Sequence, residues 1–170
     1  MNQLEPVVRL TRPEDINDVT TMDLKCYPYP MPMKEWQERI QGSGKQDQAR
    51  IVVVEVYRKP AGFAMWNIDE NHVGWLCRMG VLQQYRRNKL GCVLMAACLK
   101  HCGDNHCDKV KVVVPSIHCT PGDPDDVSVF LNYCGFKATG EILYSYCVMY
   151  GDEVDGYVFE RSTHAFASGR

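Results

Sequence analysis

No stretch of the 170-residue chain approaches the roughly 18 consecutive apolar residues that a membrane-spanning helix needs, so a membrane partner of that kind is excluded. Nor is positive charge in excess: 19 Lys and Arg stand against 21 Asp and Glu, for a net charge of -2. A chain that lives on nucleic-acid phosphates carries a basic surplus, so no nucleic-acid partner is expected. There is no internal repeat, no low-complexity tract and no long linker. The opening Met1-Asn2-Gln3-Leu4-Glu5-Pro6 has neither a basic nor an apolar leader region, which predicts no secretory signal. A Cys-x-x-Cys knuckle is also missing, and with it the usual start of a structural zinc site.

What is present is enough apolar material for one core. At 45% hydrophobic residues, a chain of this length buries roughly 70% of its extended surface. The expectation is a single domain over 1–170, with a core of about 7–160 and a loose tail over 162–170. Nine cysteines are many for this length, and their odd number prevents complete pairing within the chain. With no leader visible, they predict a reduced, cytoplasmic protein whose thiols serve mostly as small packed hydrophobes.

The spacing of apolar residues, prolines and glycines predicts the order β-α-α-β-β-β-α-β-α-β-β. Pro6–Leu10 alternates as a short strand. Thr11 is the candidate N-cap of a helix that begins around Pro13 and runs to about Lys25. Three prolines at alternate positions, Pro28, Pro30 and Pro32, exclude helix from the next segment. A second helix follows over Lys34–Gln41 and ends at Gly42-Ser43-Gly44. Strands are expected at Ile51–Val56, Ala61–Ile68 and His72–Val81, joined by short hairpin connections. The apolar helix Leu90–Cys102, bounded by Gly103, precedes a strand over Lys109–Val114, a helix over Asp125–Tyr133 and strands over Ile142–Tyr150 and Tyr157–Arg161.

Chemistry concentrates in Met79-Gly80-Val81-Leu82-Gln83-Gln84-Tyr85-Arg86-Arg87-Asn88-Lys89-Leu90-Gly91-Cys92. A strand ends, a polar turn follows, and a helix begins at once. The first N–H groups of a helix have no internal partner and sit at the positive end of its dipole, so they suit a phosphate. Arg86, Arg87 and Lys89 add positive charge there, and Gly91 permits close backbone approach. Read from the residues alone, the same turn also suits a solvated basic cap.

The pattern Arg86-x-x-Lys89-x-Gly91, approached through Val81 and Tyr85, resembles the acetyl-CoA signature of the GNAT superfamily of N-acetyltransferases, Gln/Arg-x-x-Gly-x-Gly/Ala. Asn132-Tyr133-Cys134-Gly135-Phe136 is similar to the family's late helix end in Gly-Phe. The resemblance spans about Val7 to Glu160 and departs from the pattern at Lys89, where the family carries its first Gly. It implies a three-layer α+β fold: a mixed, mostly antiparallel sheet of about seven strands, flanked by about four helices and splayed in the middle. The backbones of Met79 and Val81 would then hold the pantetheine arm, with a bulge around Arg78–Gly80 helping to open the sheet. The N–H groups of Arg87, Asn88, Lys89, Leu90, Gly91 and Cys92 would take the pyrophosphate. The reaction implied is direct transfer of an acetyl group from acetyl-CoA to an amine.

Such a transfer needs a neutral amine and profits from a donor at the leaving thiolate. The family often supplies that donor from a Tyr four residues before the Gly of Gly-Phe; here that position is Leu131. Tyr133 is the assigned donor, with Tyr144, Tyr146 or solvent as alternatives. His118, in the loop after the strand ending at Pro115, is the best base candidate, ahead of His72 and Glu55. Cys119 beside it points away in an extended segment, which argues against a Cys–His dyad. The cluster Cys98, His101, Cys102, His106 and Cys107 makes zinc conceivable, but the apolar helix already accounts for Cys98, so no metal is assigned.

The loop Cys26–Trp36 is similar to the branch of the family that acetylates protein N-termini, including those of ribosomal proteins. Its prolines and rings suit a peptide groove, and equally a rigid surface loop. Asp123, Asp125 and Asp126 would attract a cationic amine such as a polyamine or aminoglycoside. An N-acetyltransferase for a protein or peptide amine is thus expected, as monomer or homodimer. The rivals are a small-amine acetyltransferase and a GNAT-fold CoA-binding protein without catalysis.

Overall fold

The structure is a computed structural model and describes residues 5–43 and 48–164. Gly44 of the expected helix stop, the leader residues Met1–Leu4 and residues 165–170 of the expected tail lie outside the described residues. The element order is β1 (Val7–Leu10), α1 (Ile16–Cys26), α2 (Met33–Gly42), β2 (Arg50–Val56), β3 (Lys59–Ile68), β4 (Val73–Val81), α3 (Leu90–Asp104), β5 (Lys109–Pro115), α4 (Val127–Tyr133), β6 (Lys137–Met149) and β7 (Asp152–Ser162). This is the expected order.

The strands form one seven-stranded sheet in the order β1-β2-β3-β4-β5-β7-β6. Every neighbouring pair is antiparallel except β4 with β5. That single parallel pair requires a crossover, and α3 supplies it. Both faces of the central strands are covered, which is why Ile51–Val54 is an unbroken apolar run. Val19, Met22, Trp36 and Ile40 of α1 and α2 pack on Ile51, Val53, Phe63 and Met65. On the opposite face Leu90, Leu94, Met95 and Cys98 of α3, with Leu131 of α4, pack on Val52, Val54, Ala64 and Trp66.

Several local expectations are corrected. Thr11 is not a helix cap: its hydroxyl donates to the Ile51 carbonyl at 3.1 Å and ties the end of β1 to β2. The turn before α1 is closed instead by Asp15, whose carboxylate accepts the Arg12 N–H at 2.6 Å. Asp15 also takes Arg9 at 2.7 Å, and Arg9 reaches Glu55 at 2.6 Å, so one guanidinium joins β1, the turn and β2. Gly103 does not stop α3, which continues to Asp104, where Lys100 pairs with the Asp104 carboxylate one turn on. The last two strands are longer than their apolar residues suggested, because they meet as a hairpin through Tyr150 and Gly151, both at positive φ. Of the expected tail, Ser162 closes β7 and the Thr163 N–H donates to Asp108 O at 3.0 Å.

Candidate active site

Strands β4 and β5 share four parallel rungs, Val73 with Lys109 through Leu76 with Val112, and then separate. Beyond Leu76 the sheet opens into a wedge whose walls are Cys77–Val81 and Val113–Pro115. Where the wedge begins, the β3–β4 register shifts opposite Met65 and Trp66, which face Arg78 and Leu76, so Cys77 is the extra residue. The expected bulge at Arg78–Gly80 is therefore corrected by one position. Gly80 pairs in register with Phe63. Its missing side chain matters for packing, since a Cβ there would stand 2.8 Å from Cys26 Sγ and 2.9 Å from the Phe63 ring.

At the mouth of the wedge, Arg87 and Lys89 both adopt left-handed backbone, with φ of 64° and 61°. Lys89 thus takes the conformation for which glycine is the usual choice, and it caps α3. The first bond inside the helix runs from the Val93 N–H to Lys89 O at 3.1 Å, leaving the N–H groups of Leu90, Gly91 and Cys92 ahead of it without an intrahelical partner. Asn88 stiffens the turn by donating to Tyr85 O and Arg86 O at 3.2 and 3.1 Å. Arg86 folds back, and its Nε donates to Val81 O at 3.0 Å. Gly91 has a second reason to be glycine: a Cβ would lie 3.1 Å from the Phe130 ring of α4.

The opposite wall is held by a buried ion pair. Asp23 of α1, fully enclosed at 0% exposure, accepts Arg78 Nε at 2.6 Å, the Met31 N–H at 2.7 Å and the Trp36 indole N–H at 3.0 Å. Arg78 also donates to Tyr29 O at 2.8 Å, and its guanidinium carbon lies 4.1 Å from the centre of the Tyr27 ring. The Tyr27 hydroxyl bridges the main chain of Met79, accepting its N–H at 3.0 Å and donating to its C=O at 2.7 Å. Burial pushes the Tyr27 phenol above its ordinary pKa. Farther out, the Tyr29 hydroxyl accepts the Tyr150 N–H, and the two rings lie 5.7 Å apart, so the α1–α2 connection meets the β6–β7 hairpin. Both backbone positions expected to serve pantetheine thus already carry side-chain partners.

His118 ends the short turn Ser116–His118 after β5, half-buried, in a segment that packs on β7. Tyr133, the last residue of α4, is 72% exposed, whereas Leu131 is 1% exposed and belongs to the core. Burial pushes the Cys119 thiol up to about 11, with nearby Asp126 adding to the shift, so it is no activated nucleophile. All nine cysteines are free, and Cys98, Cys102, Cys107 and Cys134 are buried. His101 Nδ1 accepts the Trp66 indole N–H at 3.1 Å. Among the described residues, no group of three His, Cys, Asp or Glu side chains is arranged to hold a metal ion.

The Asp23–Arg78 pair does not declare itself in the sequence. Its signal was an acid on the buried stripe of α1, four residues after Val19, together with an Arg inside a largely apolar strand.

The family model described as the acetyltransferase (GNAT) family matches residues 16–136. The chain belongs to the GNAT acetyltransferase family. Among solved structures, the ribosomal-protein-S18-alanine N-acetyltransferase of Escherichia coli is similar at 13% identity, covering 94% of each chain with a TM-score of 0.74. Ard1 from Thermoplasma volcanium is similar at 20% identity, covering 92% of this chain and 97% of its own, with a TM-score of 0.75. A spermidine N-acetyltransferase SpeG chimera from Vibrio cholerae and hSSAT gives 15% identity, 96% and 99% coverage, and a TM-score of 0.78. No curated protein matches the chain significantly. The GNAT fold and the N-acetyltransferase class expected from the motif are thereby established, and acetyl-CoA is the co-substrate such enzymes generally use. Among the described residues, no helix is long and apolar enough to cross a membrane.

Proposed function

We propose that this GNAT protein transfers an acetyl group directly from acetyl-CoA to a primary amine, with a protein or peptide amine as the preferred acceptor. The observation that carries the reading is the wedge between β4 and β5, which leads to the unpartnered N–H groups at the start of α3. The donors of Arg87, Asn88, Lys89, Leu90, Gly91 and Cys92, with the charges of Arg86, Arg87 and Lys89, fit a pyrophosphate. The open edges of Met79 and Val81 fit an arm that adds to the sheet as an extra strand, once the bonds from Tyr27 and Arg86 are exchanged. His118 is the base in this reading. Tyr133, being largely in solvent, gives the leaving thiolate little that water does not, so protonation there is assigned to solvent. The proline-stiffened loop Tyr27–Pro32, joined to the β6–β7 hairpin through Tyr29 and Tyr150, suits an extended peptide.

A second reading has a specific observation in its favour: Leu131 puts a buried apolar side chain where the family often carries its tyrosine. A GNAT-fold protein that binds CoA without catalysis would look the same there. One experiment separates the readings. Acetyl-CoA is offered with a panel of N-terminal peptides, polyamines and aminoglycosides, and products are identified by mass spectrometry, because the nine protein thiols obscure a thiol assay. Peptide acetylation supports the proposal, polyamine or aminoglycoside acetylation replaces the acceptor class, and CoA-dependent thermal stabilisation without product favours the binding protein. Absence of any stabilisation by CoA overturns both.

A further inference from the structure

The Tyr27 hydroxyl sits where a ligand oxygen would sit. Its partners, the Met79 N–H and C=O, lie beyond the last β4–β5 rung, on the open side of the wedge. The hydroxyl is aimed by more than this bond. The ring is stacked by the Arg78 guanidinium, which is fixed in turn by buried Asp23 and by Tyr29 O. An arm that adds to β4 takes the Met79 N–H with a carbonyl oxygen and leaves the Met79 C=O to an N–H of its own. Tyr27 then gives up both partners by a swing of its side chain out of the oxygen's place, and its O–H stays within reach of that incoming oxygen. Because burial keeps the phenol protonated, it arrives there as a donor.

Tyr27 belongs to the α1–α2 connection, the wall on which an acceptor would dock, so the oxygen it meets is the one nearest the acceptor. Resting on the acetyltransferase reading, we propose that Tyr27 is a catalytic residue whose O–H, together with the Met79 N–H, holds the thioester carbonyl oxygen of acetyl-CoA. The amine nitrogen attacks the carbonyl carbon, a C–N bond forms, and the carbonyl electron pair moves onto the oxygen between these two donors. The pair then returns, the C–S bond breaks, and the sulfur leaves as thiolate. The ammonium proton passes to base or solvent and the thiolate takes one from solvent, so amine plus thioester becomes amide plus thiol. The Tyr27 proton stays on Tyr27 throughout.

Donors aimed at developing oxyanion charge typically contribute about 100-fold or more to turnover. The decisive readout needs no acceptor: the infrared carbonyl band of bound acetyl-CoA, isotope-labelled at the carbonyl carbon, in the wild type and in Tyr27→Phe. The expected result is a band shifted to lower frequency in the wild type. That shift falls by at least half in Tyr27→Phe, while acetyl-CoA affinity changes less than about 3-fold and turnover drops about 100-fold. Equal bands in the two proteins overturn the assignment. So does an unshifted wild-type band, or affinity that rises in Tyr27→Phe with the band unmoved, which would make Tyr27 a plug. If Tyr27→Phe does not fold, a fluorinated tyrosine at position 27 decides: a more acidic phenol moves the band further down, and an unmoved band overturns the proposal. Failure of the wild type to bind acetyl-CoA removes the acetyltransferase reading itself, an outcome distinct from all of these.

Discussion

The carboxylate of Asp23 and the guanidinium of Arg78 meet at 2.6 Å across 55 residues, with Asp23 wholly enclosed and Arg78 reaching the edge of the wedge. A carboxylate so buried is tolerated because three donors satisfy it. Removing it leaves a half-buried cation without its carboxylate and two orphaned N–H groups. Asp23→Ala is expected to lose about 3–5 kcal/mol in urea unfolding. A loss below about 1 kcal/mol, the scale of exposed pairs, would contradict the role given to this pair.

Lys89 holds a left-handed backbone at φ 61°. A side chain costs about 1 kcal/mol or more in that region, and glycine removes the cost at some loss of unfolded-state entropy. Lys89→Gly is therefore expected to raise the melting temperature by about 1–3 °C. An unchanged or lower value would mean that the lysine side chain has a compensating role.

Gly80 leaves no room for a methyl group between Cys26 and Phe63. Gly80→Ala should cost about 1–3 kcal/mol through overpacking. The double variant Gly80→Ala with Cys26→Ala should recover part of that loss, because the closest atoms belong to Cys26. Additive losses in the pair would count against the packing account.

Asp15 titrates below the ordinary carboxylate range, first because Arg9 hydrogen-bonds its carboxylate. A depressed folded pKa means that the stabilisation is complete above the unfolded value of about 3.9 and fades as pH falls through the lower folded value. Asp15→Asn is expected to be less stable than the wild type by about 2 kcal/mol near neutrality, with the gap closing on acidification toward pH ~3. Melts across that range check it, and a gap that widens on acidification reverses the sign.

Most of the architecture was legible because it follows from local signals. The apolar runs of β2 and α3, the prolines after α1 and the helix start behind Arg86–Lys89 each declare themselves within a few residues. The final hairpin was only half legible. Asp152–Asp155 reads as a polar loop, yet it pairs with Val148 and its neighbours because the turn at Tyr150 and Gly151 brings it there. The site divides in the same way. Its phosphate-binding end is one continuous segment and shows in the sequence, whereas the wall formed by Asp23, Tyr27, Arg78 and Met79 joins residues more than 50 positions apart. Cys77 as the bulge residue was hidden because register shifts are set by the partner strand, and nothing in Cys77 itself marks it.

The four parallel rungs between β4 and β5 have a mechanical consequence. Within the sheet, among the described residues, they alone join the antiparallel meander of β1–β4 to the ladder of β5–β7. Such a seam behaves as a hinge pin, with α3 laid across it as a splint. A molecule seated in the wedge bridges both leaves beyond the last rung and lengthens the pin. Slowed amide exchange in Val113 and Val114 on loading is the expected sign of that stiffening.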